Sequence, residues 1–339
     1  VLTSYFDDEL ILYPEILKKI QDYFEKFNKP FLEVNKHQAM LPKNARIIEN
    51  DLGTASGMWF EKDQTHIFSM PGVPYEMRGL LQKFLVQLKQ EITLGDLYHS
   101  TVKVTGIGES YLAEQLKTWE SNLRRENVSV SYLPSVGQLK IRLTGTVHQK
   151  ELIDQNIEYL LREKRKYVFG RENDSLVKVI GDLLMQQKAA LGTVESCTGG
   201  SIAKKIVSMA GSSGFYHGSI VSYTNELKAN LVGVKEETLL KNGAVSEPVV
   251  VEMAENGLEM LDSDYCISVS GVAGPSGGSE EKPVGTVWMA LATPTKTYAK
   301  KFNFGHNRTR NIQASVYAGL NMLRLELIGE LDLPQERDQ

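Results

Sequence analysis

The segment Glu195-Ser196-Cys197-Thr198-Gly199-Gly200 sets a hydroxyl between an apolar run and an amphipathic stretch, where a strand hands over to a helix. A serine at such a turn is lifted to the top of a sheet and can act as a nucleophile. Thr198, Gly199 and Gly200 then leave backbone N–H groups at a helix N-terminus to hold an oxyanion or a phosphate. A turn of this composition also serves simply to cap a helix, so its chemistry depends on partners elsewhere in the chain.

A base for Ser196 is offered by Val221-Ser222-Tyr223-Thr224-Asn225-Glu226-Leu227-Lys228. With Asn225 as the cap of a short helix, Lys228 falls in its first turn, where the macrodipole and burial both disfavour the ammonium form. A neutral amine can take the serine proton, and Ser–Lys pairs are a known variant of the serine nucleophile and its base. The alternative for Lys228 is a solvated helix residue.

Further polar segments follow. Ser268 to Pro275 is a strand running into a loop, placing Ser270, Gly271 and Gly274 either as donors at the same edge as Ser196 or in a tight turn. Ser276 to Pro283 is glycine-rich, a lid over the site or an exposed connection. In Gly305-His306-Asn307-Arg308-Thr309-Arg310, either Arg308 or Arg310 could grip a phosphate in bidentate fashion. Cys197 would be the stronger nucleophile as a thiolate, but side chains of adjacent residues diverge and a buried, inert thiol is the usual case. His217 and His306 stand apart from each other and from any acidic cluster, so no metal is expected in this part of the chain.

The elements that must position these groups read as alternating helices and strands from Asp174 onward. Asp174 is the expected cap of a helix carrying Leu176, Ile180, Leu183 and Leu184 on one face. A helix over 201–209, a strand over 218–223, a short helix from Asn225 and a longer one from Pro248 come next. Strands over 265–270, 285–291 and 297–304 and a final helix with Ile312, Val316, Leu320 and Leu323 complete the order. This order predicts a three-layer α/β/α unit with a mixed sheet over 173–339. Residues 96–172 read as a small α+β unit. Its Gly106-Ile107-Gly108-Glu109-Ser110 is expected to be a structural turn rather than a phosphate cradle. Residues 1–95 give a helix over 14–27, short strands over 45–48 and 66–69 and a helix from about Pro74 to Leu88. These are too few for a closed sheet of their own, and a portion N-terminal to Val1 is expected to be missing.

Composition narrows the function classes. With 339 residues, 42% hydrophobic and 24% charged, the chain has the balance of an ordinary multidomain globular protein. A formal charge of −4 and a pI near 6.0 give no basic field for a phosphate backbone, so a small molecule is the expected partner and nucleic acid is not. No apolar run reaches the roughly 18 residues of a bilayer span. No signal-peptide pattern opens the chain, so a cytoplasmic location without a membrane partner is expected. The two cysteines, Cys197 and Cys266, show no CxxC spacing, which leaves both reduced.

Taken in order, Glu195 to Gly200, Ser222 to Lys228, Gly243 to Val249, Ser270 to Pro275 and Gly277 to Val287 closely resemble the CinA C-terminal, nicotinamide mononucleotide deamidase family. Upstream, Asn50 to Ala55 and Pro71 to Met77 are similar to the later half of that family's molybdopterin-binding-like N-terminal α/β domain. The Gly106 to Ser110 unit is similar to its small KH-type middle domain. The resemblance implies a multidomain α/β chain: a partial N-terminal domain over 1–95, a KH-type α+β domain over 96–172 and a deamidase domain over 173–339. It implies hydrolysis of nicotinamide mononucleotide to the acid mononucleotide and ammonia without a cofactor, and a homodimer. Carried over by position, Ser196 is the nucleophile, Lys228 its base and Tyr223 a supporting hydrogen-bond donor. Ser270, where many relatives have Thr, and Arg308 then belong to the substrate site. Two other readings remain at this stage. One is a nucleotide- or partner-binding protein tied to competence or damage responses. The other is an ADP-ribose pyrophosphatase needing a divalent metal at the N-terminal domain, where Asp51 and Glu76 remain but the family's upstream acidic motif does not, so little of that activity is expected.

Overall fold

The computed structural model describes residues 1–63, 65–92 and 95–331. The chain folds as two units, Val1–Gly95 and Asp96–Gln339.

The first unit opens with α1 (Leu2–Phe6), β1 (Leu10–Leu12), α2 (Pro14–Lys26) and β2 (Met40–Pro42). Strands β3 (Arg46–Ile48), β4 (Gly57–Lys62) and β5 (Thr65–Ser69) follow, then α3 (Pro74–Glu91). Pro14 and Pro74 each sit in the first turn of a helix, where a missing N–H costs nothing. β1 pairs with β2, and β3-β4-β5 form an antiparallel sheet of three strands. The sequence reading missed β4, which completes an open three-stranded sheet packed against α3 by Ile48, Trp59, Leu80 and Phe84.

The second unit begins with β6 (Leu97–Val104), α4 (Glu109–Arg125), β7 (Ser129–Ser135), β8 (Gln138–Thr146), α5 (Lys150–Glu163) and β9 (Val168–Arg171). Its four strands run in the order β7-β8-β6-β9, all antiparallel. Alternate residues of β8 (Leu139, Ile141, Leu143) meet Leu112, Leu116, Ile153 and Ile157 of the two helices in one apolar cluster. Gly106 has φ +79 and precedes Gly108, the α4 cap, so the Gly-Ile-Gly segment is a helix-entry turn.

The remaining elements are α6 (Leu176–Gln187), β10 (Leu191–Glu195), α7 (Ser201–Val207), β11 (Tyr216–Val221), α8 (Asn225–Asn230), α9 (Glu236–Asn242), α10 (Glu247–Met260), β12 (Tyr265–Gly271), β13 (Thr286–Ala292), β14 (Thr297–Asn303) and α11 (Arg308–Leu327). They build a five-stranded sheet in the order β11-β10-β12-β13-β14. β10 runs parallel to both neighbours, while β13 and β14 return antiparallel, giving the mixed sheet. One face packs on α6, α7 and α11 through Ile180, Leu184, Ile202 and Leu320, the other on α10 through Val249, Val250 and Met253. The α/β/α layering is that expected from the alternation of periods.

Two caps differ from the sequence reading. Ser175, not Asp174, caps α6 by accepting from Lys178 N–H, while Asp174 accepts from Arg171 N–H at the end of β9. Thr224, not Asn225, caps α8 by accepting from Leu227 N–H at 3.2 Å. Ser175 and Thr224 each have the extended backbone that a cap requires.

Candidate active site

Strand β10, flanked by β11 and β12, is buried along its whole length, and its C-terminal end is where the chain changes direction across the sheet. The connection through α7 leads to β11 on one side, and α8 to α10 lead to β12 on the other. Such a switch point opens a crevice at the carboxyl ends of the strands. Ser196 stands there, its N–H donating to Val269 O of β12 at 3.0 Å.

Lys228 reaches the same point from α8. Its side chain is 1% exposed, and Nζ lies 2.9 Å from Ser196 Oγ and 2.9 Å from Ser222 O. Burial pushes the Lys228 amine below its ordinary 10.5, with Cys197 a weaker influence in the opposite direction. In the neutral state the geometry is complete: one N–H donates to the Ser222 carbonyl and the lone pair accepts from the Ser196 hydroxyl. Cys197 turns the other way, into the apolar cluster with Ile202 and Val269. Burial raises its thiol to about 12, which leaves it protonated and unreactive at neutral pH.

Glu195, which sequence reasoning left without a role, is 0% exposed. Its carboxylate accepts from Ile202 N–H at 3.1 Å and Ala203 N–H at 2.8 Å. The donors at the start of α7 are therefore filled by the chain's own carboxylate, a correction to the expectation that this helix end is free for a ligand. What stays open is the turn itself. The N–H groups of Thr198 and Gly200 meet no protein acceptor among the described residues, whereas Gly199 N–H donates to Ser196 O. Gly199 (φ +58) and Gly200 (φ +88) hold left-handed conformations that L side chains rarely adopt, so the turn needs glycine at both. The signal for Glu195 was available: a charged residue ending an otherwise apolar buried strand must find donors.

Two further loops border this edge. Ser270, on β12, donates to Ala244 O at 2.7 Å, and Gly271 lies so close to Val287 and the Thr286 carbonyl that no Cβ fits. Arg308 donates from Nη1 to Gly274 O at 2.8 Å and from Nη2 to Tyr223 Oη at 3.3 Å. Tyr223 is 56% exposed and its hydroxyl meets Arg308, while Ser196 has Lys228 as its side-chain partner. Asn311, buried on α11, donates to Ala273 O and Gly305 O and so ties the loop that carries Gly274 to the segment leading into Arg308. The glycine-rich loop is turned on itself through Ser279 and Lys282, and Lys282 Nζ donates to Asn242 O at 2.7 Å.

Among the described residues no group of three or more His, Cys, Asp or Glu could hold a metal ion. In the first unit Asp51 pairs with Lys83 at 2.7 Å, and Glu76 accepts from Asn50 Nδ2 at 2.7 Å beside Gly53. A separate cavity of about 670 Å³ is lined by Ile107, Tyr167, Phe302, Phe304 and Tyr317 and contains none of the residues around Ser196.

The sequence has relatives among known proteins. A family model described as CinA C-terminal domain matches residues 173–327, and one described as damage-inducible protein CinA KH domain matches 99–170. A CinA-like protein of Cytophaga hutchinsonii is 38% identical over 331 residues, covering 96% of this chain and 79% of its own length. A putative competence-damage inducible protein of Caldicellulosiruptor saccharolyticus is 34% identical, with 96% and 80% covered. A crystal structure of a CinA superfamily protein from Klebsiella pneumoniae is 32% identical, covering 45% of this chain and 96% of that one, with a TM-score of 0.44. The chain belongs to the CinA family. No helix among the described residues is long and apolar enough to cross a membrane.

Proposed function

We propose that the chain is an amidohydrolase that converts nicotinamide mononucleotide to nicotinate mononucleotide and ammonia, with Ser196 as nucleophile and Lys228 as base. The observation that carries this reading is the 2.9 Å approach of a buried amine to a buried serine hydroxyl at a sheet switch point.

Ser196 Oγ bonds to the carboxamide carbon as its proton passes to Lys228 Nζ, and the carbonyl electron pair moves onto oxygen. The unpaired turn N–H of Thr198 is the donor available to that oxyanion. The tetrahedral carbon then expels the amine, which leaves as ammonia after taking the proton back from Lys228. Water, deprotonated by Lys228 Nζ, splits the resulting ester, and Ser196 regains its proton from Lys228 as the acid product departs. Lys228 suits both halves because burial favours its neutral amine and the Ser222 carbonyl holds its lone pair on Ser196.

Arg308 supplies the charge for the substrate phosphate, from a guanidinium oriented by Gly274 O and Tyr223 Oη. No cofactor or metal enters this scheme, and the partner is a small nucleotide. The test is ammonia release from nicotinamide mononucleotide by the wild type and by Ser196→Ala, Lys228→Ala and Cys197→Ala. The reading expects loss in the first two and retention in the third. An active Ser196→Ala protein would exclude it.

A further inference from the structure

Among the described residues the buried side-chain polar atoms without a hydrogen-bond partner are Thr198 Oγ1, Ser219 Oγ and Ser222 Oγ. Only Thr198 belongs to the nucleophile's own turn. The neighbouring hydroxyl of that turn is satisfied: Ser201 Oγ donates to Thr198 O. Thr198 is 2% exposed, and its carbonyl is clamped by both the N–H and the Oγ of Ser201, at 3.1 and 2.6 Å. The residue is thus held firmly while its hydroxyl and its N–H are both left unpaired. A buried hydroxyl with no partner destabilises a fold by about 1–3 kcal/mol, and a native protein that keeps one in its active-site turn invites a functional account.

We infer that the Thr198 hydroxyl is a catalytic donor to the oxyanion formed when Ser196 attacks a carbonyl, acting with the backbone N–H of the same residue. At rest its proton has no acceptor. In the tetrahedral intermediate the carbonyl oxygen gains the charge that accepts it, so the bond exists mainly where it lowers the barrier. No bond beyond those of the acyl-transfer scheme is made or broken; the hydroxyl keeps its proton throughout. For its substrate this inference rests on the amidase reading, whereas its chemistry needs only acylation of Ser196.

Thr198→Val keeps the shape and removes the hydroxyl, and Thr198→Ser keeps the hydroxyl and removes the methyl. The expected result for Thr198→Val is a kcat for ammonia release lowered about 100-fold or more, with KM little changed and a melting temperature equal to or above that of the wild type. Thr198→Ser is expected to retain activity. A Thr198→Val protein with wild-type kcat, a Thr198→Ser protein as impaired as Thr198→Val, or a Thr198→Val protein that melts earlier overturns the proposal. Should the wild type release no ammonia, the amidase reading fails by itself, and the rate of Ser196 acylation by p-nitrophenyl acetate decides on Thr198 with the same variants. Absence of acylation in the wild type overturns both.

Discussion

Ser222 accepts Lys228 Nζ on its carbonyl at 2.9 Å while its own N–H donates to the carbonyl of Glu195 at 2.9 Å. One residue therefore ties the base to the strand that ends in the nucleophile. The distance between Ser196 and Lys228 is set by backbone hydrogen bonds between parallel strands, which makes the site rigid without any carboxylate beside the amine.

That absence governs the pH response of activity. Catalysis needs the neutral amine, so kcat/KM rises with pH through the depressed value of Lys228 and then levels off. Lys228→Arg, which stays protonated, is expected to lose activity by a factor of about 10³ or more, the scale of a missing general base. A pH–rate profile from ammonia release checks both.

Stability follows the same group with a definite sign. The unfolded chain protonates Lys228 with the ordinary value of 10.5, and the folded chain only at lower pH. Between those values the unfolded state binds more protons, so this group's contribution to stability rises with pH across the window and is lost as pH falls through the folded value. Lys228→Met is therefore expected to be more stable than the wild type at neutral pH, with the advantage shrinking toward pH 10.5 in denaturant titrations.

Glu195→Gln separates positioning from chemistry. The amide keeps the shape but sets one N–H against the donors of Ile202 or Ala203. A loss of about 1–3 kcal/mol is expected. Because the turn that follows Glu195 carries Ser196, kcat should fall while KM changes little. Chemical denaturation alongside steady-state kinetics measures the two effects.

Arg308→Ala is expected to raise KM for the mononucleotide about tenfold or more, the scale of a lost charge-assisted contact. The deficit should vanish with nicotinamide riboside, which lacks the phosphate. Equal impairment on both substrates would mean that Arg308 acts by holding Gly274 and Tyr223 rather than by binding phosphate.

Elsewhere in the second unit, Arg324 is 1% exposed and donates to Arg165 O and Lys166 O, fastening α11 to the turn before β9. Burial lowers its guanidinium to about 10, still charged at neutral pH. Arg324→Met strands those carbonyls and is expected to cost about 3 kcal/mol, with faster amide exchange around residues 165–168.

The sequence made the α/β/α layering legible because apolar periods of two and 3.6 alternate from Leu176 to Leu323 without a break. Ser196 and Lys228 were legible as well, one from the glycines behind it and the other from its place in a short helix, although Lys228 falls in the last turn of α8 rather than the first, so burial and not the helix dipole lowers its amine. Glu195 carried a usable signal as a charged end to an apolar strand, whereas Ser222 and Asn311 did not, since their tying bonds, Ser222 N–H to Glu195 O and Asn311 to Ala273 O, reach backbone partners that no local pattern specifies. Strand β4 escaped because Trp59 and Phe60 are buried side by side, which blurs the alternation that marks a strand.

The central claim is that Lys228 makes Ser196 a nucleophile toward the carboxamide. Acid quenching during turnover of nicotinamide mononucleotide, followed by mass spectrometry of the peptide holding residues 196 and 197, tests it most directly. The account predicts a nicotinoyl mononucleotide ester on Ser196 in the wild type and none in Lys228→Met. An adduct on Cys197, or the same ester forming at an undiminished rate without the lysine, would contradict it.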